Sequence, residues 1–125
     1  EIGVEEIFRR ACFNVLAGND DDHGKNHAFL MLPDGQWTVS PAYDLTSTTN
    51  PLASGMRAAS VNGKSVDVDR ADLRKLGESQ SVRKIDEVID EVIGAIKRWP
   101  EWAEQAGLSE HRIDQVSDEM PGYRL

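Results

Sequence analysis

At 125 residues, 39% of them hydrophobic, the chain has the size of one domain and enough apolar content to bury a single core. Fourteen Lys and Arg against 22 Asp and Glu leave a net charge of −8, and the basic residues occur singly or in pairs, a pattern that argues against direct nucleic-acid binding. A single cysteine, Cys12, excludes an internal disulfide and suits a reducing cytoplasm, while the longest apolar run, Ala28 to Leu32, falls far short of the roughly 20 residues that cross a bilayer.

No signal peptide opens the chain, which begins at Glu1 and runs straight into a helical pattern, as expected of a piece of a longer protein. Val4, Ile7, Phe8, Ala11, Cys12 and Val15 recur at spacings of three and four, which predicts a helix over residues 4–16 ended by Gly18. Residues 19–26, Asn-Asp-Asp-Asp-His-Gly-Lys-Asn, are too polar for a core and too rich in Asn, Asp and Gly for a helix, so they form a loop. Residues 27–32 and 36–40 are short strand-like runs joined by Pro33-Asp34-Gly35 and predict a hairpin. Residues 41–50 carry neither period and form an irregular segment rich in hydroxyls, Thr46 to Thr49 among them, best read as a turn.

Asn62-Gly63 favours a type I′ turn and predicts a second hairpin between residues 59–61 and 65–68. Asp69 can cap a short helix through Leu76 that stops at Gly77, and Ser81 can cap the next. In that helix Val82, Ile85, Val88, Ile89, Val92, Ile93 and Ile96 make a broad apolar face. Two shorter helices follow, over residues 100–106 and 110–119. Trp37, Trp99 and Trp102 read as packing residues, His111 as an exposed helix residue and Cys12 as a small buried hydrophobe. The expected architecture is mainly α with one or two small β-hairpins, α+β overall.

The chemistry concentrates in the first loop. Asp20, Asp21 and Asp22 repel one another and gain nothing by packing, so a fold retains them most easily where a cation or a proton-transfer task awaits. Asn26 follows Asp21 by five positions, the spacing at which a kinase catalytic loop places a proton-accepting Asp and a magnesium-binding Asn. Asp44 follows the hairpin, where a kinase carries its second magnesium aspartate. Asn26 and Asp44 supply the hard oxygen donors that magnesium demands, and Lys25 adds a charge that offsets the one spreading over a transferring phosphoryl group.

Gly18-Asn19-x-Asp21-x-His23-x-Lys25-Asn26, followed by Pro41-Ala42-Tyr43-Asp44, resembles the catalytic and metal-binding motifs of the HipA-like serine/threonine kinases, the toxins of bacterial toxin–antitoxin pairs. The resemblance implies Asp21 as catalytic base, Asn26 and Asp44 as magnesium ligands, and His23 and Lys25 as loop residues supporting the phosphates. It further implies ATP as phosphoryl donor, a protein hydroxyl as acceptor (an aminoacyl-tRNA synthetase for some members) and a small DNA-binding antitoxin as partner. No glycine-rich phosphate loop or strand lysine precedes the motifs. Residues 1–125 then correspond to the helical C-terminal lobe, with the ATP-binding lobe N-terminal to Glu1 and the isolated chain inactive.

Rival readings fit less of the chain. Asn19-x-Asp21-x-His23-Gly24 begins like an EF-hand, but Leu30 stands at position twelve where a bidentate Glu is required. His23 and His27 lack a third zinc ligand and lie in loop and strand. A phosphoinositide-type kinase shares Asp-x-His-x-x-Asn, yet the acidic composition lacks a basic membrane-facing patch. A non-catalytic pseudokinase or antitoxin-docking module sits poorly with Asp21, Asn26 and Asp44 all intact.

Overall fold

The computed structural model describes residues 2–48 and 56–125. Helix α1 spans Ile2–Leu16 and buries Phe8, Cys12 and Val15 of the predicted stripe together with Leu16, while Ile7 and Ala11 are half-buried and Val4, near the helix start, is exposed. It ends at Gly18, whose φ of +70° lies in the left-handed region that glycine enters without steric cost. Gly18 N–H donates to the Val15 carbonyl at 3.3 Å and Asn19 N–H to the Asn14 carbonyl at 2.8 Å, the pair of bonds that closes a Schellman end. The loop that follows is pinned at this terminus and contains one 3-10 turn, Gly24–Asn26.

Strands β1 (Phe29–Met31) and β2 (Trp37–Val39) pair antiparallel, with Phe29 opposite Val39, Leu30 opposite Thr38 and Met31 opposite Trp37. The second hairpin expected around Asn62-Gly63 is only a turn. Asn62 and Gly63 do adopt φ of +51° and +79°, as a type I′ turn requires, and Val61 and Lys64 exchange two bonds of 2.9 Å. Pairing stops there as a ladder: the Ser65 carbonyl accepts from Arg57 N–H, and Asp67 turns left-handed at φ +50°.

Helix α2 runs Arg70–Ser79 behind a reciprocal capping box, Asp69 accepting from Asp72 N–H and Asp72 from Asp69 N–H. Gly77 does not stop it. A Cβ there would lie 3.0–3.1 Å from three carbons of Ile85, so Gly77 permits close approach of the next helix. The stop comes at Ser81, left-handed at φ +54°, with Ser81 N–H on the Glu78 carbonyl and Val82 N–H on that of Gly77. Ser81 is therefore the end of α2 and not the cap of α3, which spans Ile85–Lys97 behind Lys84.

Helices α4 (Trp99–Gln105) and α5 (Glu110–Glu119) and a 3-10 turn, Pro121–Arg124, complete the chain. Val88, Ile89, Val92 and Ile96 of α3 form the centre of the core, packed with the buried face of α1, Leu73 of α2 and Met120. Each such side chain contributes about 1.5–3 kcal/mol on burial. Among the described residues the architecture is mainly α with one small two-stranded sheet. Among the described residues no helix is long and apolar enough to cross a membrane.

Two tryptophans depart from the packing role expected of them. Trp37 is 69% exposed on its three-residue strand, and Trp102 is 51% exposed with the Arg98 guanidinium 4.8 Å above its ring. Trp99 packs against the core and donates Nε1–H to the Ile113 carbonyl.

Candidate active site

The loop after α1 and the segment after β2 are joined through Asn19. This residue is 1% exposed; its Nδ2 donates to Asn14 Oδ1 at 3.0 Å and to the Asp44 carbonyl at 3.3 Å, and its Oδ1 accepts from Thr48 Oγ1 at 3.0 Å. Backbone bonds reinforce the join, Asp20 N–H to the Thr48 carbonyl at 2.9 Å and Thr48 N–H to that of Gly18 at 3.0 Å. An amide buried this deeply with its donors and acceptor all used specifies one geometry.

That frame brings Asn26 and Asp44 together. Asn26 Nδ2 donates to Asp44 Oδ2 at 2.9 Å and reaches the Asp21 carbonyl at 3.5 Å. Asp44 holds φ of +55°, a left-handed conformation that Asp tolerates better than most residues, and the Asn19 bond to its carbonyl steadies it. Tyr43 Oη donates to the Lys25 carbonyl at 2.8 Å, a second tie between the two segments. Asp21, Lys25 and Asp44 expose their side chains, and His23 is half-buried with Nδ1 unpartnered among the described residues. Thr49 and Asn50, the end of the hydroxyl-rich segment, lie outside the described residues.

The three aspartates divide by environment. Asp22 is 6% exposed and its Oδ2 accepts from Arg57 Nη2 at 3.1 Å, while His27 Nε2 stands 3.6 Å from Oδ1. The expectation that the triplet gains nothing by packing therefore fails for Asp22, because a buried guanidinium, itself 7% exposed, compensates its charge. Nothing in the spacing of Arg57, 35 positions on, signals this pairing. Asn19 was visible only as a motif letter; Asn14 and Thr48 carry no sequence signal of their polar roles.

Cys12 is fully buried, and burial pushes its thiol up to about 12, so it stays protonated and inert as a nucleophile near neutral pH. Among the described residues no three His, Cys, Asp or Glu side chains gather as a metal cage. The donors that do converge, an amide and a carboxylate on an open surface, fit magnesium, which takes one or two protein ligands and completes its shell from phosphates and water.

A family model, the HipA-like C-terminal domain, matches residues 2–120. The chain belongs to this family. Among curated relatives, the serine/threonine-protein kinase toxin HipA of Shewanella oneidensis is 46% identical over 43 residues, 34% of this chain and 10% of that protein. Two kinase-named proteins of Sinorhizobium fredii also match. One is 45% identical over 60 residues, 47% of this chain and 14% of the relative. The other is 27% identical over 128 residues, 95% of this chain and 30% of the relative. The chain thus spans at most about a third of the length of these HipA-like and kinase-named relatives. No solved structure matches it.

Proposed function

We propose that this chain is the C-terminal lobe of a HipA-like serine/threonine protein kinase and carries its catalytic base and magnesium ligands, the ATP-binding lobe preceding Glu1 in the parent protein. The observation that carries the reading is the meeting of Asn26 with the Asp44 carboxylate at 2.9 Å and with the Asp21 carbonyl at 3.5 Å. The order of the three residues along the chain, Asp21, Asn26 and Asp44, is that of a kinase's base and two magnesium ligands, and these contacts support that reading.

In this reading the exposed Asp21 carboxylate accepts the proton of a substrate hydroxyl while that oxygen bonds to the γ-phosphorus of ATP and the bond to the bridging oxygen breaks, leaving ADP. Asn26 and Asp44 would hold magnesium, which supplies charge neutralisation at the phosphate oxygens. Asn26 must then present its amide oxygen, exchanging its donation to Asp44 for a shared cation. Lys25, exposed on the 3-10 turn, and the half-buried His23 support the phosphates from the loop, Lys25 adding positive charge beside the transfer. A protein hydroxyl, such as one on an aminoacyl-tRNA synthetase, is the acceptor, a small DNA-binding antitoxin is the partner, and the cytoplasm is the compartment.

A phosphorylation assay on the full-length protein with magnesium and ATP tests the proposal. Asp21→Asn keeps the side-chain shape but cannot accept the proton, and removing a general base costs about 10²–10⁴ in rate. Asp20→Asn discriminates between neighbouring carboxylates: a variant as inactive as Asp21→Asn would overturn the choice of base.

A further inference from the structure

The chain is held on both sides of Asp21 by residues 57 and 58. Ala58 N–H donates to the Asp20 carbonyl at 2.9 Å, and Arg57 Nη2 donates to the Asp22 carboxylate at 3.1 Å. Arg57 also reaches the end of α1, where its Nη1 donates to the Asn14 carbonyl at 3.2 Å. That carbonyl already accepts Asn19 N–H in the helix-ending motif, so the guanidinium bridges the fixed terminus of α1 and the residue just past Asp21. Arg57, Asp22 and Asn14 are 7%, 6% and 3% exposed, and the Arg57 backbone is anchored in turn by its N–H on the Ser65 carbonyl at 2.8 Å.

Stability alone is a poor reason for such a pair, because an apolar replacement of similar volume is often as stable as a buried ion pair. What the pair supplies is geometry. A guanidinium is planar and directs its donors at fixed angles, so two partners on different segments hold each other in register; a lysine ammonium is a point charge and cannot impose that. The side chain between the two fastened residues, that of Asp21, is the exposed one.

We infer that Arg57 is a positioning residue that sets the Asp21 carboxylate through Asp22, an inference that rests on the kinase reading of Asp21. The test uses the full-length protein, comparing wild type with Arg57→Lys, Asp22→Asn and each of these combined with Asp21→Asn, assayed well below the measured Tm. Small displacements of a catalytic group cost up to about 10²-fold, so Arg57→Lys is expected to lower kcat about 10- to 100-fold with the KM for ATP little changed. Asp22→Asn keeps an acceptor oxygen and should give a smaller loss of the same kind. In the Asp21→Asn background either change should add nothing, because the group being positioned is gone.

Unchanged kcat in Arg57→Lys would overturn the inference, as would a loss that persists undiminished in the Asp21→Asn background or that circular dichroism accounts for by the unfolded fraction. Should Arg57→Lys fail to fold, Asp22→Asn decides, and full activity there overturns the inference. A wild type that transfers no phosphate overturns the kinase reading and this inference with it, whereas an active wild type with an insensitive Arg57→Lys overturns this inference alone.

Discussion

Asn26 and Asp44, 18 positions apart and on opposite sides of the hairpin, meet through a single 2.9 Å hydrogen bond from the amide to the carboxylate. In the kinase reading Asn26 gives up this donation and shares a cation with Asp44, and removing a direct donor costs no less than the about 10–100-fold of affinity that outer-shell partners carry. In the full-length protein, Asn26→Ala is therefore expected to raise the magnesium concentration for half-maximal phosphoryl transfer by about that factor, with excess magnesium restoring part of the rate. A magnesium titration of the variant checks this. Unchanged magnesium dependence would separate Asn26 from the cation.

Gly77→Ala and Gly94→Ala make the same change in two helices and should have opposite signs. Alanine gains about 0.5–1 kcal/mol over glycine in a helix interior. At Gly94 in α3 a new Cβ meets nothing within 4 Å, so that gain appears as a higher Tm. At Gly77 the Cβ falls 3.0–3.1 Å from Cγ1, Cδ1 and Cγ2 of Ile85, and overpacking of a tight core costs about 1–3 kcal/mol, which outweighs the propensity gain. Thermal unfolding of both variants tests the pair, and a stabilised Gly77→Ala would mean that α2 and α3 can part without penalty.

How far the sequence discloses these features depends on the range of the forces involved. The stripe of α1, the face of α3 and the Asn62-Gly63 turn are local patterns, and each is legible from spacing and backbone chemistry. Gly77 misleads because a glycine at a helix end and a glycine under a neighbouring helix look alike in one dimension. Ser81 misleads similarly, being an N-cap residue type used as a left-handed helix end. The pairing of Asp22 with Arg57 joins segments 35 positions apart and leaves no periodic trace. The meeting of Asn26 with Asp44 is legible only through the kinase order of loop, hairpin and aspartate, since no spacing rule alone brings residue 44 back to residue 26.

Asp69 and Asp72 cap α2 by exchanging side-chain to backbone bonds, Asp72 N–H to Asp69 Oδ1 at 3.0 Å and Asp69 N–H to Asp72 Oδ2 at 3.1 Å. Asp69→Ala leaves an amide of the first turn without its acceptor and is expected to cost about 0.5–2 kcal/mol. Asp69→Asn, which keeps an acceptor oxygen, should recover most of that in urea unfolding. Equal losses in both variants would show that charge at the helix start, and not the capping bond, carries the effect.

The fully buried thiol of Cys12 gives the stability of the fold a defined dependence on alkaline pH. Burial pushes this thiol up to about 12, opposed only in part by the nearby charge of Arg9 and by the hydrogen bond to its own backbone. In the unfolded chain the thiol ionises at its ordinary value of 9.0, while the folded chain keeps its proton until about 12. Between these values the unfolded state binds fewer protons than the folded one, so stability falls as pH rises, with a slope approaching about 1.4 kcal/mol per pH unit from this group. Well below pH 9 the group contributes little slope, since both states then largely hold the proton. Urea unfolding at stepped pH values, with Cys12→Ala as the reference that lacks the group, isolates the contribution from those of lysine and tyrosine. The wild type should lose stability relative to Cys12→Ala as pH climbs past 9. Alkylation by iodoacetamide at pH 8 should wait on unfolding, because the thiolate forms only when the α1 stripe leaves the core. Parallel pH profiles for the two proteins, or rapid labelling of the folded wild type, would show that Cys12 is reached by solvent in the native state.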